Sequence, residues 1–187
     1  MTEWLLEALH FLPHHYTNLL LFCTLTGMRA SECIASVRLI KNSESLVEGQ
    51  YYDPERQILQ HYKFPQIFIR RTKAIYISVV DREILRIAQE IDQILPSYYG
   101  LKKAIMRRSL SMRIKYCRKI YASWLRQSGI EPEIIDMLSG RVGKNIFLRH
   151  YYRPSSDYYK RRVLASLKQL QGRLIPEKRA SDGGIVE

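Results

Sequence analysis

Cysteine is scarce in this chain of 187 residues, and the three that occur, Cys23, Cys33 and Cys117, have no Cys-x-x-Cys spacing. An odd number of widely separated cysteines indicates neither a disulfide framework nor a thiolate zinc site. The zinc-peptidase motif His-Glu-x-x-His is missing as well. We therefore expect no metal cofactor. We expect the histidines to lie on the surface or at helix caps: His10, His14, His15, His61 and His150.

Acidic residues are also few, since 18 Asp and Glu face 30 Lys and Arg, which gives a net charge of +12 and a pI near 9.7. A magnesium-dependent nuclease would need clustered carboxylates near a lysine. Asp53, Glu55 and Asp81 do not form such a cluster along the sequence. The positive excess indicates a polyanionic partner, most simply nucleic acid. The alternative is a basic surface that only keeps the protein soluble.

Long hydrophobic runs are missing too, because the longest, near residues 19–22, is far too short to span a bilayer. Residues 1–10 contain Glu3 and Glu7 and no basic segment, so they do not read as a signal peptide. We therefore expect an intracellular, reducing environment. The length and the hydrophobic fraction of 46% are ordinary for one domain with a core of its own.

Apolar residues at helical spacing predict three helices in the first part of the chain. They cover residues 3–11, 15–25 and 30–37. Gly27 separates the second predicted helix from the third. This places Arg29 at a turn where the backbone can approach a partner closely. These patterns favour a mainly helical fold.

The middle of the chain has the composition of β-structure. Residues 67–69 and 75–79 are rich in β-branched and aromatic side chains, and they predict a hairpin with residues 70–73 at its polar tip. Residues 53–56 (DPER) predict a turn, and residues 42–49 a loop. The fold class expected is therefore mainly α with a small antiparallel sheet or hairpin.

The second half of the chain predicts further helices. Asp81 is an N-cap signal for a helix through Leu95, and residues 96–106 read as a loop. Ser109 or Ser111 is expected to cap a long helix, with a buried stripe, that ends at Gly129. The remaining predicted helices cover residues 132–138, 145–151 and, after a cap at Ser155 or Ser156, an amphipathic stretch that ends at Gly172.

Cations and tyrosines recur in the C-terminal third of the chain. Lys115 and Arg118 lie three residues apart on a predicted helix, so both can project to one exposed side. Arg141 follows a glycine, and the pair Tyr151 and Tyr152 follows that. Several cations and a tyrosine without clustered carboxylates suggest chemistry on a phosphodiester without a metal.

Short motifs in a fixed order resemble the catalytic domain of the tyrosine recombinase (phage integrase) family. Residues 26–32 (TGMRASE) match the first arginine motif of that family in full. Residues 115–118 (KYCR) match its His-x-x-Arg helix, with lysine in place of histidine. Residues 139–141 (SGR) match its Gly-His step, with arginine in place of histidine. Lys73 sits where the family has a hairpin lysine, and Tyr151 comes one position later than the usual spacing.

The two substitutions look like the variant seen in integrases of archaeal spindle-shaped viruses and related plasmids. The resemblance covers roughly residues 1–172 and implies the tyrosine recombinase catalytic fold, with residues 173–187 expected to be a disordered tail. Family members usually carry an N-terminal core-binding domain. We expect that domain to be absent from this chain, since the first arginine motif begins at residue 26.

The resemblance implies a site-specific recombinase that cuts and rejoins DNA through a covalent 3′-phosphotyrosine, without metal or ATP. Arg29 and Arg118 would clamp the phosphate, because a guanidinium gives two parallel hydrogen bonds to it. Arg141 would be a third contact. Lys115 would bind phosphate, since an unperturbed lysine is a poor base at neutral pH. Lys73 would protonate the departing 5′ oxygen.

The nucleophile implied by the resemblance is one of two adjacent tyrosines. Adjacent helical residues point about 100° apart, so only one can face the arginines. Tyr151 is preferred and Tyr152 is the alternative, because Tyr151 is nearer the family spacing. The expected partners are double-stranded attachment sites and a dimer or tetramer on DNA, with no membrane. Further candidate DNA contacts are Arg70, Arg71, Arg107, Arg108, Lys144 and Arg153.

Two alternatives to the recombinase interpretation stay open on the sequence. One is an enzyme like the type IB topoisomerases, which share the tyrosine chemistry. The other is a catalytically inactive DNA-binding module, since lysine and arginine replace two histidines. The last helix is also ambiguous, because residues 156–171 can close the core of their own domain or dock on a neighbouring protomer.

Overall fold

The computed structural model describes residues 2–42, 51–70, 73–91, 96–141 and 156–175. Helices dominate, in agreement with the predicted fold class. A single turn of 3₁₀-helix, His61–Lys63, lies in the β region. The α-helices are α1 (Glu3–Phe11), α2 (His14–Thr26), α3 (Ala30–Lys41), α4 (Pro65–Phe68), α5 (Arg82–Gln89), α6 (Tyr98–Arg107), α7 (Lys115–Gln127), α8 (Pro132–Leu138) and α9 (Ser156–Leu174).

Within the described ranges, five short strands form two small antiparallel sheets. The first has the order β1-β2-β5, and the second is the hairpin β3-β4. In the hairpin, Ile69 pairs with Ala74 and Arg70 pairs with Lys73. The strands are β1 (Tyr52–Asp53), β2 (Ile58–Leu59), β3 (Ile69–Arg70), β4 (Lys73–Ala74) and β5 (Ser78–Val79).

Helix α2 is the centre of the core. Every residue from 17 to 26 is buried, because apolar residues occur on all sides of this helix. The buried hydroxyls of Thr24 and Thr26 donate to carbonyls one turn earlier in the helix. Helices α3, α5, α7 and α9 all pack against it. No single helix among the described residues is long and apolar enough to cross a membrane, and the pair α2 and α3, which passes that test together, is bent by 105°.

The surrounding helices are amphipathic, and their buried faces are the predicted ones. Asp81 caps α5, where its Oδ1 accepts a hydrogen bond of 2.9 Å from the Ile84 backbone. Helix α9 buries the predicted stripe against α2 and α7 of the same chain. Arg162 fixes it there by donating to Glu131 at 2.6 Å. The stripe consists of Tyr159, Val163, Leu164, Leu167 and Leu170.

Two predictions in the helical part are wrong. Residues 96–106 are not a loop, since Ser97 caps helix α6 by accepting from the Gly100 backbone at 2.9 Å. The lysines of that segment interrupt its apolar pattern along the sequence, although α6 buries a stripe of apolar side chains. Helix α7 begins at Lys115, after residues 110–114, and neither Ser109 nor Ser111 caps it. Helix α9 also continues past Gly172 to Leu174.

The predicted hairpin is present but shorter than expected. Residues 67 and 68 end helix α4, and the paired strands are residues 69–70 and 73–74. The Ile75 backbone adds one hydrogen bond of 3.3 Å to the Phe68 carbonyl. Residues 78–79 pair with β2 of the other sheet instead. Lys73 therefore lies in a strand, with only residues 71 and 72 between the strands. All of residues 75–79 have high β-propensity, but the strand covers only residues 78–79, where backbone hydrogen bonds to β2 form.

His61 is not a surface or capping residue, because it is fully buried. Its Nδ1 lies 2.9 Å from the Tyr51 hydroxyl, which in turn donates to Ser36 at 2.7 Å. Its Nε2 lies 2.8 Å from the Ser78 hydroxyl. Burial lowers the pKa of His61 to about 3. The imidazole is therefore neutral and ties α3 to both β1 and β5.

This buried imidazole predicts a loss of stability in acid. Below pH 6.5 the unfolded chain protonates His61 while the folded protein does not, until the pH approaches 3. The free energy of unfolding should thus fall by about 1.4 kcal/mol for each pH unit in that window. Urea unfolding at pH 7, 5.5 and 4.5 measures this slope.

The matched variants are His61→Gln, which should flatten the slope, and His10→Gln, which removes an exposed imidazole and should not. An equal slope in the parent and in His61→Gln would contradict the assignment.

Candidate active site

Arg29 sits at the sharp turn between α2 and α3 and is held there by Glu32. The Arg29 backbone donates to Glu32 Oε2 at 2.9 Å, and the Arg29 guanidinium forms an ion pair with Glu32 Oε1. Glu32 is buried, while the Arg29 side chain keeps 27% of its surface exposed. One carboxylate thus fixes both ends of Arg29, which leaves part of the guanidinium accessible.

A glycine brings this turn onto helix α7. Gly27 has a φ of +66°, and a Cβ at this position would lie 2.4 Å from the ring of Tyr121. Tyr121 is buried on α7, three residues after Arg118. Only glycine allows both the left-handed backbone and this close approach. The contact therefore sets the position of Arg29 relative to Arg118.

Arg118 is a half-buried cation with unused hydrogen-bond donors. Its Nε and Nη2 atoms are buried and have no hydrogen-bond partner among the described residues. Desolvation by burial, and then the charges of Arg29 and Arg141, lower the pKa of Arg118 to about 10. Arg29 and Arg141 are thus close enough to Arg118 to repel its charge. Buried donors without partners indicate a place where an anion can bind.

Lys115 and Arg118 differ in exposure, although they lie three residues apart on one helix. Lys115 is exposed at the first position of α7, whereas Arg118 is half-buried and lies near Arg29 and Arg141. The three arginines come together, and Lys115 instead lines a pocket between α6 and α7.

Arg141 follows helix α8 and lies beside the hairpin. Its backbone donates to the Asp136 carbonyl at 2.9 Å, and its Nη1 lies 3.6 Å from Asp136 Oδ1. Gly140 has a φ of +64°, and a Cβ there would lie 2.7 Å from the Ala74 carbonyl oxygen. Strand β4, whose first residue is Lys73, therefore packs directly against the residue before Arg141.

The other candidate residues are distributed between the surface and the undescribed segments. Arg70, Arg107 and Arg108 are exposed. No group of three or more His, Cys, Asp or Glu that could hold a metal ion occurs in the ranges that the structure describes. The candidates that lie outside the described residues are Arg71, Lys144, Tyr151, Tyr152 and Arg153.

Two positioning residues escaped the sequence reasoning. Glu32 stands at the third position of α3, where a carboxylate is typical of a helix N-terminus, and this signal could have indicated its contact with the Arg29 backbone. Tyr121 was predicted to be buried, but its contact with Gly27 joins residues 94 positions apart in the sequence. No local pattern announces such a contact.

The model of the archaeal phage integrase family matches residues 33–157. The chain belongs to this family. No curated protein and no solved structure matches the chain. The matched region contains Arg118, Arg141 and both candidate tyrosines, and it begins four residues after Arg29. An integrase is a DNA-recombining protein, which accounts for the charge of +12.

The integrase should tolerate no side chain at Gly27. We expect Gly27→Ala to lower the free energy of unfolding by about 2–5 kcal/mol, because left-handed strain adds to the overlap with the Tyr121 ring. Chemical denaturation measures the change. The matched control is Gly172→Ala in α9, where a Cβ meets nothing within 4 Å. That variant should be more stable by up to about 1 kcal/mol. A Gly27→Ala protein as stable as the parent would contradict the contact.

The repulsion among the three arginines makes a second prediction. Replacing Arg118 by methionine should raise the free energy of unfolding by about 1 kcal/mol without DNA, because it removes a partly buried, repelled charge. The melting temperature should then rise by about 2–4 °C. The control Arg126→Met removes an exposed arginine of the same helix and should have little effect. A clear loss of stability in Arg118→Met would show that Arg118 is not under electrostatic strain.

Proposed function

We propose that this integrase is a tyrosine recombinase, which cuts and rejoins DNA through a covalent 3′-phosphotyrosine bond. The observation that supports the proposal most strongly is that two buried nitrogens of Arg118, Nε and Nη2, lack a partner among the described residues, while Arg29 and Arg141 lie near enough to repel its charge. A DNA phosphate offers the oxygen acceptors that these donors lack. It also carries the negative charge that would relieve the repulsion.

Arg29, Arg118 and Arg141, here called the arginine clamp, would act mainly on the transition state. Attack on a phosphodiester adds negative charge to the non-bridging oxygens, and fixed cations stabilise that charge without rearranging. Arg29 is held by Glu32 and Arg141 lies near Asp136, so both groups are positioned before DNA binds. Preorganisation of this kind raises the rate because its cost is met during folding.

We assign the nucleophile to Tyr151, with Tyr152 as the alternative. The tyrosine hydroxyl would release its proton to solvent, and its oxygen would form a bond to phosphorus while the bond from phosphorus to the 5′ oxygen breaks. Lys73 would give a proton to that departing oxygen. The phosphotyrosine conserves the energy of the phosphodiester, so a 5′ hydroxyl can reverse the step without ATP. Lys115 would contact a neighbouring phosphate from the start of α7.

The experiment uses nicked suicide duplexes that carry the attachment site, with EDTA present. We expect a covalent protein–DNA adduct on a denaturing gel. The adduct should disappear in Tyr151→Phe and persist in Tyr152→Phe. The opposite pattern would move the nucleophile by one residue. The absence of an adduct from the parent protein would contradict the recombinase proposal and favour a binding module.

Arginine variants connect the adduct to the clamp. Arg118→Ala should slow adduct formation by at least about 100-fold, the usual effect of losing one preorganised donor. Arg126→Ala, on the same helix, should react at the parent rate. A plasmid-relaxation assay distinguishes the topoisomerase alternative, because relaxation of supercoiled plasmids without the attachment site would favour that activity. Equal rates in both arginine variants would contradict the role of Arg118.

A further inference from the structure

A pocket between α6 and the start of α7 is separate from the arginine clamp. It has a volume of about 470 Å³, and apolar side chains, among them Ile105, Leu110 and Met112, line its interior. Its volume falls in the range of small-molecule sites, which is about 300–1,000 Å³. The pocket can therefore hold a flat organic group.

Cations surround this apolar interior. Lys102, Arg113 and Lys115 line the pocket and are exposed. Across the described part of the chain, none of the three is paired with a carboxylate. An apolar hollow with unpaired cations at its edge suits a ligand that joins a flat apolar ring to negative charge. A nucleotide within a DNA strand has this composition.

We propose that the pocket takes one unpaired nucleobase of a DNA strand, while Lys102, Arg113 and Lys115 bind the phosphates beside it. Tyr98 lines the pocket and is 54% exposed. Its ring offers a surface on which a base can stack. Bases within a duplex are stacked on their neighbours, so only a base that has left the stack can enter a recessed pocket.

The position of the pocket places this base near the proposed cleavage site. This part of the inference rests on the proposed recombinase function. Lys115 stands one turn before Arg118, and three residues of helix rise by about 4.5 Å. Successive nucleotides of one strand rise by about 3.4 Å. The base in the pocket therefore lies within one or two nucleotides of the phosphate at Arg118. Strand exchange unpairs bases at that place.

Helix α6 supplies matched controls for both interactions. Tyr99 and Lys103 follow the two pocket residues directly in the sequence and are also exposed, Tyr99 to 71%, but they do not line the pocket. Changing each neighbour removes the same chemical group from the same helix. The comparison thus separates the pocket from the general basic surface.

The test uses a short single-stranded oligonucleotide with one 2-aminopurine, and the same sequence as a duplex. Binding is followed by anisotropy and by 2-aminopurine fluorescence. Tyr98→Ala and Lys102→Ala should each weaken single-strand binding by about tenfold, whereas Tyr99→Ala and Lys103→Ala should change it by less than about twofold. Duplex binding should change little in any variant. All four positions are exposed, and thermal unfolding checks that each variant folds.

Equal losses at the pocket positions and at their neighbours would overturn the proposal, and so would 2-aminopurine fluorescence that does not change on binding. The adduct assay on duplex DNA is a separate readout. An adduct without base binding would refute the pocket and leave the recombinase proposal standing. Base binding without an adduct would contradict the recombinase proposal and leave the pocket as a binding site for single-stranded DNA.

Discussion

Guanidinium groups held close together repel one another, and this repulsion is the constraint around which the molecule is arranged. Desolvation and the charges of Arg29 and Arg141 lower the pKa of Arg118 to about 10, so the folded protein holds this cation at a cost in free energy. The fold must supply that free energy elsewhere. Helix α2 does so, because five other helices (α1, α3, α5, α7 and α9) pack against it and it buries ten consecutive residues.

Close contacts at two glycines, together with the hydrogen bonds and ion pairs to Glu32 and Asp136, keep Arg29 and Arg141 in place. Gly27 rests on the ring of Tyr121, and Gly140 rests on the carbonyl of Ala74. Each contact joins the segment of one arginine to a different element, α7 in the first case and the hairpin in the second. A rigid junction of this kind resists the repulsion, whereas long flexible side chains alone would separate the charges. By fixing the positions of these segments, Gly27 and Gly140 determine how close the charged groups lie to one another.

The sequence predicted most of the helices well, but it predicted poorly the contacts between residues that are distant in the chain. The periodic helices and the Asp81 cap were predicted because their signals are local. Helix α6 was missed because its lysines conceal a buried stripe. The environment of His61 was missed because its partners, Tyr51 just before β1 and Ser78 in β5, are distant from each other in the sequence. The ordered motifs indicated the arginines and the family. Nothing local showed that Arg118 turns inward while Lys115 stays at the surface.

The balance of charge in the site bears on how such a clamp can catalyse. Three guanidinium groups face two carboxylates, those of Glu32 and Asp136. This leaves one excess positive charge among these groups, which matches the single charge of a phosphodiester. The proposed transition state carries about one more negative charge on its oxygens. A proton from Lys73 on the departing oxygen would match that added charge, and stabilisation that appears only in the transition state is what raises the rate. Cations at positions 115 and 141, where the tyrosine recombinases have histidine, are consistent with a catalytic site, because both add positive charge near the phosphate on which negative charge would develop.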